Sequence, residues 1–91
     1  MPAVCRAGMD VHSCGALDTE GSPDVFVNGA PAHRIGDGDS HSGTQNEGSG
    51  TVFANNLGIA RIGDNNTGEP VPPFHPPNAE ATGSPDVFAG G

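Results

Sequence analysis

The segment Gly21-Ser-Pro-Asp-Val-Phe-Val-Asn-Gly29 recurs twice, with small changes, in this chain of 91 residues. The other copies are Gly48-Ser-Gly-Thr-Val-Phe-Ala-Asn-Asn56 and Gly83-Ser-Pro-Asp-Val-Phe-Ala-Gly-Gly91. The first two copies continue into Ala32-His-Arg-Ile-Gly-Asp37 and Ile59-Ala-Arg-Ile-Gly-Asp64. A unit repeated in so short a chain predicts three similar pieces of structure that pack on one another.

The third copy has no such continuation, but a matching segment lies near the start of the chain. Ala3-Val-Cys-Arg-Ala-Gly8 resembles the continuation of the first copy. Aligning Arg6 with Arg34 and Arg61 completes the set. We therefore expect the N- and C-terminal segments to pair and three units to close around one axis.

Each copy carries the signal of a β-hairpin, in which β-branched and aromatic residues flank a turn. Asn28-Gly29 favours a type I′ turn because both residues tolerate a positive φ angle. No segment keeps an apolar 3.6-residue period beyond two turns, so helices are not expected. The predicted strand pairs are 25–27 with 32–35, 52–54 with 59–62, and 87–89 with 3–7.

These patterns predict one mainly β domain, residues 1–91. Its three pseudo-threefold hairpin repeats would form a small cone, closed by pairing of the N- and C-terminal segments. Long irregular loops would connect the units. The predicted loops are 9–20, 38–47 and 65–82, the last of which is rich in proline.

Composition excludes several classes of function. The formal charge is −8, with only three basic residues, so no basic patch is available for nucleic acid or for an anionic membrane. No apolar run approaches the length of a membrane-spanning helix, and no signal peptide is expected. Hydrophobic residues make up only 33% of the chain, so a metal, a disulfide or a partner is expected to add stability.

The histidines predict a metal site. Each loop after an Arg-x-Gly element contains one histidine, namely His12, His41 and His75. If the units obey a pseudo-threefold axis, these side chains can converge on it, and Cys14 can supply a fourth ligand. Three imidazoles and a thiolate form a closed tetrahedral zinc site, which would also staple the loops together.

Other interpretations of these residues stay open. Cys5 is a buried small residue by default, or it pairs with Cys14 in a disulfide in an oxidising compartment. His33 lies within a predicted strand and is interpreted as a packed side chain rather than a ligand. The Gly-Asp pairs, Gly36-Asp37 and Gly63-Asp64, are interpreted as turns rather than calcium ligands. No catalytic arrangement stands out.

The segment 21–37 resembles the repeat that gives the PAAR-repeat proteins their name. The name-giving motif is Pro31-Ala32-His33-Arg34 here, with His in place of the usual Ala, and a looser Gly58-Ile-Ala-Arg61 in the second copy. The resemblance covers essentially the whole chain. With nothing fused to it, the chain looks most like the versions carried by contractile-tailed phages and related injection devices.

The resemblance implies a structural function without catalysis. PAAR proteins form a cone that caps and sharpens a homotrimeric β-helical spike of a phage tail, a type VI secretion system or a similar machine, which then pierces the target envelope. It implies a monomer on the spike, made in the cytoplasm and working at the particle tip. The family binds one zinc through three histidines and a cysteine. That implies His12, Cys14, His41 and His75, with Cys5 or His33 as replacements for one of them.

Two other functions compete with this one. The chain can be an adaptor that docks effectors or cargo onto the spike, although no fused domain supports that function. A metal-dependent hydrolase would need an open coordination position and an acidic base, for which Glu69 and Glu80 are the residues near His75. Nothing else in the sequence favours the hydrolase.

Overall fold

Two short antiparallel hairpins are the regular secondary structure of the chain, whose computed structural model describes residues 1–68 and 76–90. Strand β1 (Phe26–Val27) pairs with β2 (Ala30–Pro31), and β3 (Phe53–Ala54) pairs with β4 (Leu57–Gly58). None of the described residues forms a helix, so none forms an apolar helix long enough to cross a bilayer. The prediction of a small, mainly β chain built on short antiparallel hairpins is confirmed.

The turns lie where the Asn-Gly and Asn-Asn pairs predicted them. Asn28 and Gly29 have φ angles of 54° and 81°, and Asn55 and Asn56 have φ angles of 53° and 66°. Two successive positive φ angles are the signature of a type I′ turn, whose twist matches the twist of the flanking strands. Asparagine tolerates this left-handed conformation better than other residues with a Cβ atom.

The predicted return strands were placed too late in the sequence. Within each hairpin the pairing uses residues 30–31 and 57–58, which follow directly after the turn. Within the described part of the chain, only the first residue of each predicted return strand bonds within its hairpin, since the Ala32 amide donates to the Val25 carbonyl at 2.9 Å and the Ile59 amide to the Val52 carbonyl at 3.0 Å. The segments 32–35 and 59–62 also pair with other units, through Ala32 with Arg6 and Arg34 with Ile59. In a hairpin with a two-residue turn, the residues directly after the turn pair with those directly before it. The chain beyond residues 31 and 58 is then free to bond to a neighbouring unit.

Three antiparallel bridges connect the segments that contain the arginines. Arg6 pairs with Ala32, Arg34 with Ile59, and Arg61 with Val4, so the third bridge returns to the segment that began the first. The residues directly before these arginines, Cys5, His33 and Ala60, bond to one another through their backbones. The Cys5 amide donates to the Ala60 carbonyl at 2.9 Å, the His33 amide to the Cys5 carbonyl at 3.0 Å, and the Ala60 amide to the His33 carbonyl at 2.9 Å. The three segments are therefore bonded in a closed ring.

Each arginine makes the same contacts with an aspartate that follows it. The guanidinium Nε lies 2.8 Å from a carboxylate oxygen in Arg6–Asp10 and Arg34–Asp37 and 2.9 Å in Arg61–Asp64. In every case Nη2 also donates to the second oxygen, and the arginine's own amide donates to the first. Bidentate, charge-assisted bonds of this kind are strong, and they raise the pKa of each guanidinium.

The apolar core is small, and three large aromatic side chains lie outside it. Its members are short aliphatic residues, namely Val4, Val27, Ala32, Ala54, Ile59 and Ala89. Phe26, Phe53 and Phe88 are 58%, 56% and 49% exposed. We call these three residues the Phe surface. These three side chains are therefore exposed and do not form an internal layer.

Candidate metal centre

Four buried side chains bring metal-binding atoms together in the interior. They belong to His12, Asp18, His33 and Glu80, which we call the buried group, and one ligand atom from each lies within 4.8 Å of the others. All four are at least 98% buried. Imidazole nitrogens and carboxylate oxygens are ordinary ligands of divalent transition metals, so this group could hold a metal ion.

The geometry fixes which nitrogen of His33 faces the group. Its Nδ1 lies 2.6 Å from the carbonyl oxygen of Glu20, and a carbonyl can only accept, so Nδ1 carries the proton. Burial lowers the pKa of His33, which favours the neutral ring. The lone pair of Nε2 then faces Asp18 Oδ1 at 3.4 Å and Glu80 Oε2 at 3.8 Å. A proton or a cation must lie between such atoms to make their contact favourable.

The carboxylates of Asp18 and Glu80 also lack hydrogen-bond donors among the described residues. None of their four oxygens accepts a hydrogen bond from the described part of the chain. Burial, followed by the proximity of Glu80, raises the pKa of Asp18 to about 10, and burial also raises the pKa of Glu80 to about 7. In the metal-free protein, the buried group therefore retains protons that exposed carboxylates would lose.

Both carboxylates occupy corresponding places in their units. The amide of Gly8 donates to the carbonyl of Asp18, as the amide of Gly63 donates to the carbonyl of Glu80. The third such acceptor is Gln45, which receives the amide of Gly36. Each of these residues lies three positions before the glycine that begins a repeat copy. The repeat therefore directs one polar side chain per unit into the interior.

His12 enters the group from the loop that follows Arg6. Its amide donates to the carbonyl of Ala16, and it forms an antiparallel bridge with Glu80. The ring then lies with Nε2 at 3.4 Å from Asp18 Oδ1 and Nδ1 at 3.8 Å from Glu80 Oε1. Both of its ring nitrogens therefore face carboxylates of the buried group.

A second pair of predicted ligands lies together outside the buried group. Cys14 Sγ is 3.7 Å from His41 Nδ1, and both side chains are partly exposed. The backbone amide of His41 donates a hydrogen bond to Asp39 Oδ1 at 2.9 Å, which fixes the start of this loop segment. Thiolate and imidazole are the two ligands that zinc prefers in structural sites.

The predicted zinc ligands thus divide between two places. His12 lies in the buried group, Cys14 and His41 lie beside each other, and His75 lies outside the described residues. Of the two proposed replacements, His33 belongs to the buried group. Cys5 is buried and donates from Sγ to the carbonyl oxygen of Thr82 at 3.3 Å.

The structure also bears on the possible Cys5–Cys14 disulfide and on the acidic residues considered for a hydrolase. No disulfide joins Cys5 and Cys14. Burial raises the pKa of Cys5 well above its usual range, so Cys5 is a thiol and not a thiolate. Of the two acidic residues considered for a hydrolase, Glu69 lies outside the described residues and Glu80 is part of the buried group.

Sequence reasoning missed Asp18 and did not assign Glu80 to a ligand set. An available signal was their shared spacing, since Asp18, Gln45 and Glu80 each precede a repeat glycine by three residues. His33 was considered, but its position in a strand favoured simple packing. The missing information was that His33 bonds to Cys5 and Ala60 of the other units, and its side chain is buried within the group.

Comparison with models of known protein families and with curated proteins finds no match for this chain.

Proposed function

We propose that this chain is a PAAR-type tip protein, a monomer that caps the blunt end of a homotrimeric β-helical spike in a contractile injection machine. The machine would be a phage tail or a type VI-like secretion device. The proposal includes a structural function without turnover, and transient contact with the target envelope. The observation that carries it is the threefold recurrence of contacts in a single chain.

The recurrence extends from the backbone to the side chains. The bridges Arg6 with Ala32, Arg34 with Ile59 and Arg61 with Val4 occupy corresponding positions, and so do the three arginine–aspartate pairs. The molecule measures 33 × 23 × 22 Å, so one axis is long and the other two are nearly equal. These features support three pseudo-equivalent repeats arranged about the long axis as a cone. A monomer of that symmetry can match a homotrimer.

The Phe surface supports docking at the base of the cone. Phe26, Phe53 and Phe88 stand at the same position in the three copies, and each leaves about half of its surface exposed. Val52 and Val87, one residue earlier in two copies, are also exposed. Aromatic residues repeated on an otherwise acidic protein mark an interaction surface, because burying them in a partner releases apolar area from water.

For the tip of the cone we propose one structural zinc. Cys14 and His41 support this site because their ligand atoms already lie 3.7 Å apart. His75 is the predicted third ligand, and His12, two residues before Cys14, is the predicted fourth. A zinc ion at this place would tie two loops together without a large apolar core.

Binding to a spike tests the proposal directly. The purified chain is mixed with purified trimeric β-helical spike proteins, and the molar mass of the complexes is determined by analytical ultracentrifugation. One chain per trimer is the expected stoichiometry. Three chains per trimer, or binding along the side of the spike, would contradict a cap on the threefold axis. A complex that forms only when a third protein is present would support an adaptor instead.

A further inference from the structure

We propose that the buried group, His12, Asp18, His33 and Glu80, is a second divalent-metal site, separate from a zinc bound by Cys14 and His41. Its ligand would be a divalent transition metal that accepts mixed nitrogen and oxygen ligands, with Zn²⁺ as the ion best suited to four protein ligands. This inference goes beyond the spike-tip function and does not depend on it.

The spacing of the ligand atoms fits such an ion. Asp18 Oδ1 lies 3.4 Å from Nε2 of both His12 and His33. Tetrahedral zinc with bonds of about 2.0–2.1 Å places neighbouring ligand atoms roughly 3.3 Å apart, so these two spacings already match. Glu80 Oε2 lies 3.8 Å from His33 Nε2, and a small inward movement of that carboxylate would bring it to the same spacing. The other oxygen of Glu80 lies 3.8 Å from Nδ1 of His12, the ring nitrogen that would not bind the ion.

The second shell also has the form that metal sites use. A histidine ligand usually donates its other ring nitrogen to a carbonyl or carboxylate, which fixes the ring and exposes one lone pair to the metal. The bond from His33 Nδ1 to the Glu20 carbonyl does this and directs Nε2 into the group. Both oxygens of Asp18 and both of Glu80 are unbonded within the described residues, so each carboxylate has an oxygen available to a metal ion.

Charge favours a dication over other occupants. Two fully buried carboxylates carry two negative charges when ionised, and burial of unpaired charge is costly. All three arginines of the chain are engaged with Asp10, Asp37 and Asp64, and the sequence contains no lysine. A divalent cation neutralises both carboxylates at once and leaves the two imidazoles neutral.

Ligand chemistry separates this site from the Cys14–His41 pair. The buried group offers carboxylates and imidazoles, whereas the pair offers a thiol and an imidazole. Both ring nitrogens of His12 face Asp18 and Glu80, so the buried site takes His12 when both are filled. In that two-ion state the tip zinc would be held by Cys14 and His41 with the predicted ligand His75, and His12, its predicted fourth ligand, would serve the buried site instead.

The test counts metal ions in the whole chain and in two variants. The chain is stripped with a chelator, reloaded with Zn²⁺ alone, desalted, and measured by native mass spectrometry. Loading with Co²⁺ gives a second readout, because a thiolate bound to cobalt produces a charge-transfer absorption that carboxylates and imidazoles do not. The variants are the double substitution Asp18→Asn with Glu80→Gln, and the single substitution Cys14→Ser.

We expect two zinc ions in the unmodified chain and one in each variant. The double variant should keep the cobalt–thiolate absorption, and Cys14→Ser should lose it. One ion in the unmodified chain, lost in Cys14→Ser and kept in the double variant, overturns the second site. One ion kept in Cys14→Ser and lost in the double variant supports the second site and overturns zinc at the tip.

Two controls keep the result interpretable. Gln45 occupies the third position equivalent to Asp18 and Glu80, so a neutral amide already fits there and the double variant is expected to fold. Glu47→Gln removes a carboxylate that is exposed and lies outside the group, and it should bind two ions like the unmodified chain. If the double variant does not fold, His33→Asn provides the same count with both carboxylates retained.

Discussion

Phe88 forms an antiparallel bridge with Ala3, at the position where Phe26 pairs with Pro31 and Phe53 with Gly58. The bridge is flanked by hydrogen bonds from the Val4 amide to the Val87 carbonyl at 2.9 Å and from the Ala89 amide to the Pro2 carbonyl at 3.0 Å. The two ends of the chain therefore build the pairing that continuous segments build elsewhere.

A circular permutant should preserve this fold. Joining residue 90 to residue 2 through a short glycine linker and opening the chain between Asn55 and Asn56 keeps every bridge but moves the break to another hairpin. We expect a folded protein whose free energy of unfolding is within about 1 kcal/mol of the parent, because closing short loops differs little in entropy. Urea denaturation followed by circular dichroism measures this, and an unfolded permutant would show that the ends do not pair.

Arg34→Lys should destabilise the protein although it keeps the charge. The guanidinium contacts both oxygens of Asp37 and also donates to the carbonyl of Gly21, and a lysine cannot reproduce that fork. Removing one partner from a largely buried pair costs about 3 kcal/mol, and we expect Arg34→Ala to approach this value with Arg34→Lys between it and the parent. Equal stability of Arg34→Lys and the parent in urea titrations would contradict the importance of the bidentate geometry.

Asn56→Gly should stabilise the second hairpin. Asn56 has a φ angle of 66° at the turn position that the first copy fills with Gly29. Glycine adopts this conformation without strain, so we expect the free energy of unfolding to increase by about 0.5 kcal/mol. The reverse change, Gly29→Asn, is the matched control and should lower it. Thermal melts of both variants check the sign, and a loss of stability in Asn56→Gly would contradict the prediction.

Substituting all three residues of the Phe surface with serine should abolish binding to a spike while leaving the fold intact. Each side chain is about half exposed, so its loss costs little packing within the chain. Buried aromatic anchors commonly account for 2 or more kcal/mol each at an interface, by order of magnitude, so loss of three should be decisive. Met9→Ser, which alters another exposed apolar residue, is the control in the same sedimentation assay. Unchanged binding of the triple variant would exclude this surface as the base.

Metal-free protein should lose stability as pH rises from about 7 to 8.5. The folded-state pKa of Asp18 is raised from 3.8 to about 10, so the folded state holds a proton that the unfolded state has released. The unfolded state therefore binds fewer protons, and the free energy of unfolding falls by up to about 1.4 kcal/mol per pH unit for this one group.

In the chosen pH range the carboxylates dominate the slope, because Cys5, whose pKa is also raised by burial, adds to it only as the pH approaches the ordinary thiol value of 9.0. The lowered pKa of His33 gives a slope of opposite sign, but only below its usual value of 6.5. Glu80, raised to about 7, adds to the slope at the lower end of the range. Asp18→Asn should flatten the dependence and Glu47→Gln should not, in chelator-treated samples unfolded by urea at several pH values. A parent protein with no slope would contradict protonation of the buried group.

The sequence predicted best those features that depend only on neighbouring residues, namely the turns of the two hairpins. The turns at Asn28-Gly29 and Asn55-Asn56 follow from the φ preferences of two adjacent residues, and the type I′ geometry needs no distant partner. The pairing of 32–35 with other units is not local, because the same β-forming residues can bond to either neighbour. The sequence therefore predicted extended chain there and the bond of Ala32 to Val25, but it missed the bonds to the other units.

The candidate site shows the same limit. His12, Cys14 and His41 were predicted as ligands from residue type and loop position, whereas their division between two places depends on how the loops are stacked. Asp18 resembles an ordinary loop aspartate in sequence, and only the ring of backbone bonds places it in the interior. Burial changes its chemistry from that of a solvated anion to that of a ligand or a retained acid.

The bridge between Arg61 and Val4 has a consequence for how the molecule folds. It joins residues 57 positions apart, and the Phe88–Ala3 bridge joins residues 85 positions apart, so the ring closes through contacts between remote parts of the chain. Contacts of such separation slow folding because the entropy of closing a long loop is lost before the contacts can offset it. During synthesis the N-terminal segment must wait for its partners, so we expect the protein to acquire its structure in one late, cooperative step after translation.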